Sequence, residues 1–476
     1  MCLSHGLQSE EWSHMSLDRI LSESPRWMFL LILVYAPWAF GCTDLLTMGI
    51  LNQFSAALVL LWLGGCVWRG SWPDLPWLPV TLLTLLLLQG WWMTWNAHSF
   101  HQYRTWTTVN RIWDNPLLPD WPGAIDRRHA HFSMLNLTAL AAMFIFACDL
   151  MARPTWRKRV WVTMALTVAS LAVGGIVMKL GGPESREWLW GKEVSKATTT
   201  FAAYRYHGNA ASMLSLGWAL AIGFAITAAS QQRAAARFAG WMGAVLFVLF
   251  GLFLNTSRAG WGLAILLLGM LGVRFLMAWW RTARDGFNWK AGLVQGVLVI
   301  TVFGTMVFVA MSDGWKEKLT RLNTASATLQ ERYPVEVYQD MAREVGWLGH
   351  GPDCFQMVMP LYMEVHGQQN KGFWRHAHND YYEYLANWGR WGVVPWVVLV
   401  LGGLWLALRN HFALPVTWGS VQWTLGFCGC AAMIGILVHA RWDFPLEKAS
   451  ILLYFLTLLA DGWARHGEPQ KANVPA

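Results

Sequence analysis

One short stretch concentrates the side chains most able to do chemistry. Residues 375–389 read Arg-His-Ala-His-Asn-Asp-Tyr-Tyr-Glu-Tyr-Leu-Ala-Asn-Trp-Gly. Asp380 followed three residues later by Glu383 has the form of a capping box, and Gly389 offers a left-handed stop, so the pattern predicts a short helix over about 381–388. His378 would then sit just before a helix N-terminus, where unpaired amides and the positive end of the dipole favour phosphate or a developing anion. An imidazole there can serve as a general base near neutral pH if it reaches an acceptor hydroxyl. His376 lacks such an anchor and is expected to matter less. The two histidines could also be ordinary loop residues, or metal ligands. A metal needs further ligands, which the sequence does not place around them.

Three further segments carry candidate groups. Arg258, in Asn255-Thr256-Ser257-Arg258-Ala259-Gly260, falls between two apolar runs, where a charge is costly unless it faces a cavity or a partner. The alternative is an arginine snorkelling to headgroups at a tight turn. Arg332 precedes Pro334, which suits the start of a helix running to about Val345 and stopping at Gly346. Tyr204-Arg205-Tyr206-His207-Gly208-Asn209 leads into another apolar run with a guanidinium, aromatics and an amide, although an interfacial belt explains the tyrosines equally well. Asp443, in His439-Ala440-Arg441-Trp442-Asp443-Phe444-Pro445-Leu446, is a possible partner for Arg441 or another base on the same face.

The elements that must position these groups are membrane helices. Of the 476 residues, 55% are hydrophobic and 13% charged, well below the charged content of soluble domains. Apolar stretches of near-membrane length run approximately over 27–47, 50–68, 76–95, 132–151, 160–180, 209–229, 239–255, 259–280, 291–311, 391–408, 421–439 and 449–463. The expected class is all-α, a polytopic transmembrane bundle of about twelve helices. Residues 1–311 hold the first nine, 312–390 form a large polar loop, and 391–476 hold the last three and a short tail.

The net charge of +8 resides in short basic loops beside apolar runs, which membrane orientation explains without nucleic acid. With both ends cytoplasmic, the basic loops at 153–159, 233–237 and 281–290 are inside, and 96–131, 181–208 and 312–390 are outside. The seven cysteines show no disulfide or zinc spacing. No cleaved signal peptide is expected. A non-catalytic polysaccharide transporter would need polar groups through the middles of several spans, and only Asp44, Asp149 and Arg274 interrupt them, near their ends.

The order of these segments is similar to that of the O-antigen ligase and polymerase family over roughly residues 200–460. The succession is Ser257-Arg258-Ala259-Gly260, Arg332 before a helix, Gly349-His350-Gly351-Pro352-Asp353, His376-Ala377-His378-Asn379-Asp380-Tyr381 with Gly389 and Gly392, and Asp443-Phe444-Pro445-Leu446. The resemblance implies a type-C glycosyltransferase architecture in the cell inner membrane with a helical periplasmic loop. The implied enzyme is metal-independent, inverting and free of cofactors. Its donor is an undecaprenyl-diphosphate-linked glycan, and its acceptor a glycan, a lipid A core in lipopolysaccharide biosynthesis, or a protein hydroxyl. By the same resemblance His378 is the base and Arg258 and Arg332 hold the diphosphate; Arg205, His376, Asn379 and Asp443 are further substrate-binding candidates by their residue types and placement. The segment around Arg205 and His207 departs from the simpler approach usual in the family.

Overall fold

In hydrocarbon no water can bond a free amide, so each apolar run satisfies its backbone internally as a helix. The computed structural model describes residues 4–105, 108–113, 116–182, 184–185, 187, 199–230, 235–255, 257–283, 334–366, 375–415 and 420–465. Its helices are α1 Ser4–Trp38, α2 Leu45–Arg69, α3 Trp77–Trp95, α4 Arg127–Met151, α5 Pro154–Leu180, α6 His207–Ser230, α7 Ala235–Leu254, α8 Arg258–Ala283, α9 Val335–Glu344, α10 Phe355–Val365, α11 Asp380–Ala413, α12 Val421–His439 and α13 Ala449–Trp463. Nine of them, α2 to α8 with α11 and α12, are long and apolar enough to cross a membrane among the described residues. The apolar ends of α1 and α13 match two more expected spans, and 291–311 lies outside the described residues. The chain is a polytopic helical membrane protein.

Local chemistry sets the helix ends. The first expected span, 27–47, is cut short because Gly41 at φ 65° breaks the chain in a 3-10 turn, Phe40–Cys42. The Asp44 side chain then accepts from Thr47 N and starts α2. Asp126 and Ser420 cap α4 and α12 in the same way. Within the expected loop 96–131, a hairpin of β1 (Ser99–Thr105) and β2 (Thr108–Trp113) is an antiparallel addition to the helical frame.

α6 is the central mast, buried over its full membrane window. Its small residues permit this: Gly217 meets Val168 of α5, and Gly223 meets Leu425 and Cys428 of α12. Above the bundle, α9 and α10 build a small second core in which Tyr338, Met341, Phe355 and Met359 are buried with Ala377 and Ala386. α9 begins at Val335 with Pro334 as its N-cap residue, one position later than expected.

Gly389 breaks the helix where expected: at φ 67°, ψ −175° it is non-helical, and α11 is two helical stretches that meet there at a kink, the second running on to Ala413. That break frees three carbonyls, of Ala386, Asn387 and Trp388, and two amides, of Arg390 and Trp391, the first of which donates to Gly346 O at 3.4 Å. The Ala386 and Asn387 carbonyls accept from His350 N (2.9 Å) and Gly351 N (3.0 Å), while Trp391 N donates to Trp347 O (2.9 Å). Gln89 Nε2 adds a bond to Trp388 O at 2.8 Å. Segment 346–351 is thus stitched into the break.

A Cβ at Gly389 would collide with the Gly349 nitrogen, and the backbone there suits glycine alone. Gly389→Ala should cost about 2–4 kcal/mol. Gly49→Ala, with no atom near its Cβ position, should cost almost nothing. Thermal unfolding of the purified variants in detergent checks this, and equal midpoints would contradict the stitched break.

Candidate active site

The chain enters the site along 375–379, where His378 adopts φ 49°, an uncommon conformation for a side chain of its size. Its Nδ1 lies 3.3 Å from Asp443 Oδ1. The other oxygen, Oδ2, faces His439 Nε2 at 3.5 Å. His439 Nδ1 is 2.7 Å from Ser212 Oγ in the second turn of α6. Asp443 therefore pairs with two histidines rather than with Arg441. Gly208 makes room for it, since a Cβ there would strike Asp443 Oδ2.

Burial works to raise the Asp443 pKa, but hydrogen bonds from His378 and His439 outweigh it and hold the carboxyl well below the usual range. An ionised Asp443 accepts Nδ1–H of His378 and so leaves Nε2 as the basic nitrogen. With its side chain 26% exposed, His378 is open to a ligand while Asp443 is not.

His376 is the more firmly held of the two loop histidines, contrary to expectation. Its Nδ1 lies 2.9 Å from Glu383 Oε1, and Lys448 Nζ donates to its Nε2 at 2.8 Å. Glu383 also accepts from Ala377 N at 2.7 Å. The capping box is therefore absent, because Glu383 is drawn to tertiary partners and Asn379 caps α11 by accepting from Tyr381 N and Tyr382 N. Asp380 N donates to Ala440 O and Glu383 N to Asn379 O. The first amides of α11 are thus all engaged, so this helix start offers no anion site. Asn379 itself is buried, with its Nδ2 unbonded among the described residues, and acts in holding the loop.

Ligand atoms of His376, Glu383 and Glu447 lie within 4.8 Å of one another, a spacing that could hold a metal. The hydrogen bonds argue against a fit. His376 Nδ1 donates to Glu383, its Nε2 lone pair is taken by Lys448, and a metal would have to displace that ammonium. Burial, and then the nearby positive charge of Lys448, push the His376 pKa well below normal. Burial and Asp353 raise Glu447 to about 7, and burial and Arg375 lower Lys448 to about 8.

Phe444 divides the site. His376 stacks on it (centroids 4.4 Å, 19°), whereas His378 meets it edge-on (4.8 Å, 72°). The histidines do not converge on one point. On the His376 side lies a cavity of about 1530 Å³, polar where Arg128, Arg205, Arg375 and Lys448 line it and apolar where Leu137, Leu140 and Leu452 do. Leu45 and Leu46, both exposed, stand at its lining. Tyr206 also stacks on Phe444, at 5.3 Å, and joins Arg205 in the lining.

Arg258 is exposed and opens α8. Ser257 Oγ caps it through Gly260 N, and Asn255 Nδ2 donates to His207 O, tying this turn to the start of α6. Gly208 and Ser212 hold Asp443 and His439 against that same stretch of α6, so Arg258 and His378 border one structural corner. Arg332 lies outside the described residues. His439, Ser212 and Lys448 were not singled out from sequence. Only the spacing of His439, four residues before Asp443, hinted at a shared helical face.

Residues 243–397 match the family model described as O-antigen ligase. No curated protein matches the chain. The matched segment runs from α7 into α11 and includes Arg258, Arg332, His376 and His378, while Asp443 and His439 lie beyond it. This polytopic membrane protein carries a domain of the O-antigen ligase family.

Proposed function

We propose that the protein transfers a glycan from an undecaprenyl-diphosphate-linked donor to an acceptor hydroxyl at the outer face of the cell inner membrane. The observation that carries this reading is the His378–Asp443 pair, a partly exposed imidazole oriented by a buried, ionised carboxylate. His378 Nε2 takes the acceptor hydroxyl proton. The hydroxyl oxygen then attacks the anomeric carbon as the bond to the diphosphate oxygen breaks, and a single displacement inverts that carbon. Charge growing on the leaving diphosphate is met by Arg258 and, by family resemblance, Arg332. Arginine keeps its charge when partly desolvated and offers several donors to phosphate oxygens, so the reading needs no metal.

The amphipathic cavity on the other side of Phe444 suits a substrate with a lipid tail and an anionic or sugar head, with Arg205 and Arg128 at the head level. A glycan, a lipid A core or a protein hydroxyl would each serve as acceptor for this chemistry.

The test is transfer from a purified undecaprenyl-diphosphate glycan by the protein in liposomes. His378→Ala should lose roughly a hundred- to ten-thousand-fold in rate per folded molecule. His376→Ala should lose stability through its buried network but at least about tenfold less specific activity than His378→Ala. Transfer should persist in EDTA. A His378→Ala rate near wild type, or loss in EDTA with rescue by a divalent ion, would overturn the mechanism.

The orientation is tested separately. The basic turns after α4 and α8 belong inside by the charge rule, which puts α10 outside. A cysteine at the exposed Leu361 should react with an impermeant thiol reagent in intact spheroplasts, and one at the exposed Ser71 should not. The reverse pattern would place the site on the wrong side for its donor.

A further inference from the structure

The end of the bundle away from His378 holds a second cavity. It is about 720 Å³ and is walled by α1, α5 and α12 through Trp27, Leu30, Trp161, Val162 and Val421. Val421 opens α12, whose other end reaches the site at His439, about 27 Å away. α5 and α12 both pack on α6, and the cleft between them is the space left over.

The rim of this cavity is basic and built. Arg157 is buried, paired with Asp461 at 3.4 Å and set over the Trp161 ring at 5.5 Å. Arg159 is fixed over Trp156 at 4.4 Å and Trp27 at 5.2 Å. Lys158 and Arg159 are exposed and make no ion pair among the described residues, whereas Arg153 and Arg157 are matched by Asp149 and Asp461. Uncompensated positive charge thus stands at the mouth of an apolar-walled cleft. Just past it, α5 exposes Leu166, Val173 and Val177 to hydrocarbon.

We infer that this cleft binds an anionic phospholipid, its phosphate on Lys158 and Arg159 and its acyl chains along the α1/α5/α12 walls. Charge complementarity selects the headgroup, since a zwitterionic lipid brings a choline cation toward the same two bases. The Trp156 and Trp27 faces hold Arg159 in place before binding, so little order is lost when phosphate arrives. Apolar walls distinguish the lipid from a soluble anion, which gains nothing from Leu30, Val162 or Val421. The site is remote from the transfer chemistry, and its test does not depend on activity.

The experiment is a native mass-spectrometric titration of the delipidated full chain in detergent with phosphatidylglycerol, phosphatidylcholine and glycerol phosphate. Phosphatidylglycerol should bind, with the other two far weaker. Lys158→Gln should loosen it about fivefold, and Lys158→Gln with Arg159→Gln about twenty-five-fold. Arg237→Gln removes an exposed charge from α7, away from the cleft, and should change binding less than twofold. Equal binding of phosphatidylcholine or glycerol phosphate would overturn the inference. So would Arg237→Gln weakening binding as much as Lys158→Gln, which would mean general surface attraction. If the double variant fails to fold, the single Lys158→Gln ratio decides.

Discussion

The Asp443 carboxylate is a buried charge at the edge of a membrane bundle, and such a charge persists only where its partners outweigh the loss of water. Two imidazoles, from the 375–379 loop and from the end of α12, do this on its two oxygens. The arrangement constrains much of the molecule. It requires Gly208 at the start of α6, the buried length of α6 to hold Ser212 beneath His439, and the start of α11, where Glu383 accepts from Ala377 N and Asp380 N donates to Ala440 O, to fix the loop bearing His378. These contacts come from α6, α11 and α12, so the pair reports on how those three helices pack.

Next to this charge stands an aromatic partition. Phe444 follows Asp443 directly, takes His376 on its face and His378 at its edge, and carries the ammonium of Lys448 at 4.8 Å. The two sides then differ in character. One holds the single polarised base His378, and the other a dense mixed-charge network at the head of an amphipathic cavity. In the proposed reaction that division keeps the base away from Lys448, whose positive charge would make an imidazole a poorer proton acceptor.

Spans and charged candidates were legible because the physics behind them is local. A run of about twenty apolar residues has to be helical in a bilayer, and an arginine at a span edge such as Arg258 stands out against it. Glu383 shows where local reasoning stops. Its spacing from Asp380 fits a capping box, yet His376 and Ala377 compete for the same carboxylate and win. At Gly389 the expected break is present, but the groups that satisfy it, amides and carbonyls of 346–351 some forty residues earlier in the chain, leave no local mark. Asp443 found its partners 65 residues away in His378 and four away in His439. Only the second separation leaves a mark in the sequence.

The account stands on Asp443 as the charge that makes His378 a base, and the most direct measurement is the transfer rate of Asp443→Asn beside Asp443→Glu in reconstituted, folded protein. Asparagine keeps the shape but lacks the charge that fixes Nδ1–H, so the rate should fall at least about a hundredfold across the working pH range. Glutamate restores the charge and should recover part of that loss. An Asp443→Asn rate within a few-fold of wild type would show that His378 needs no carboxylate, and would contradict the account.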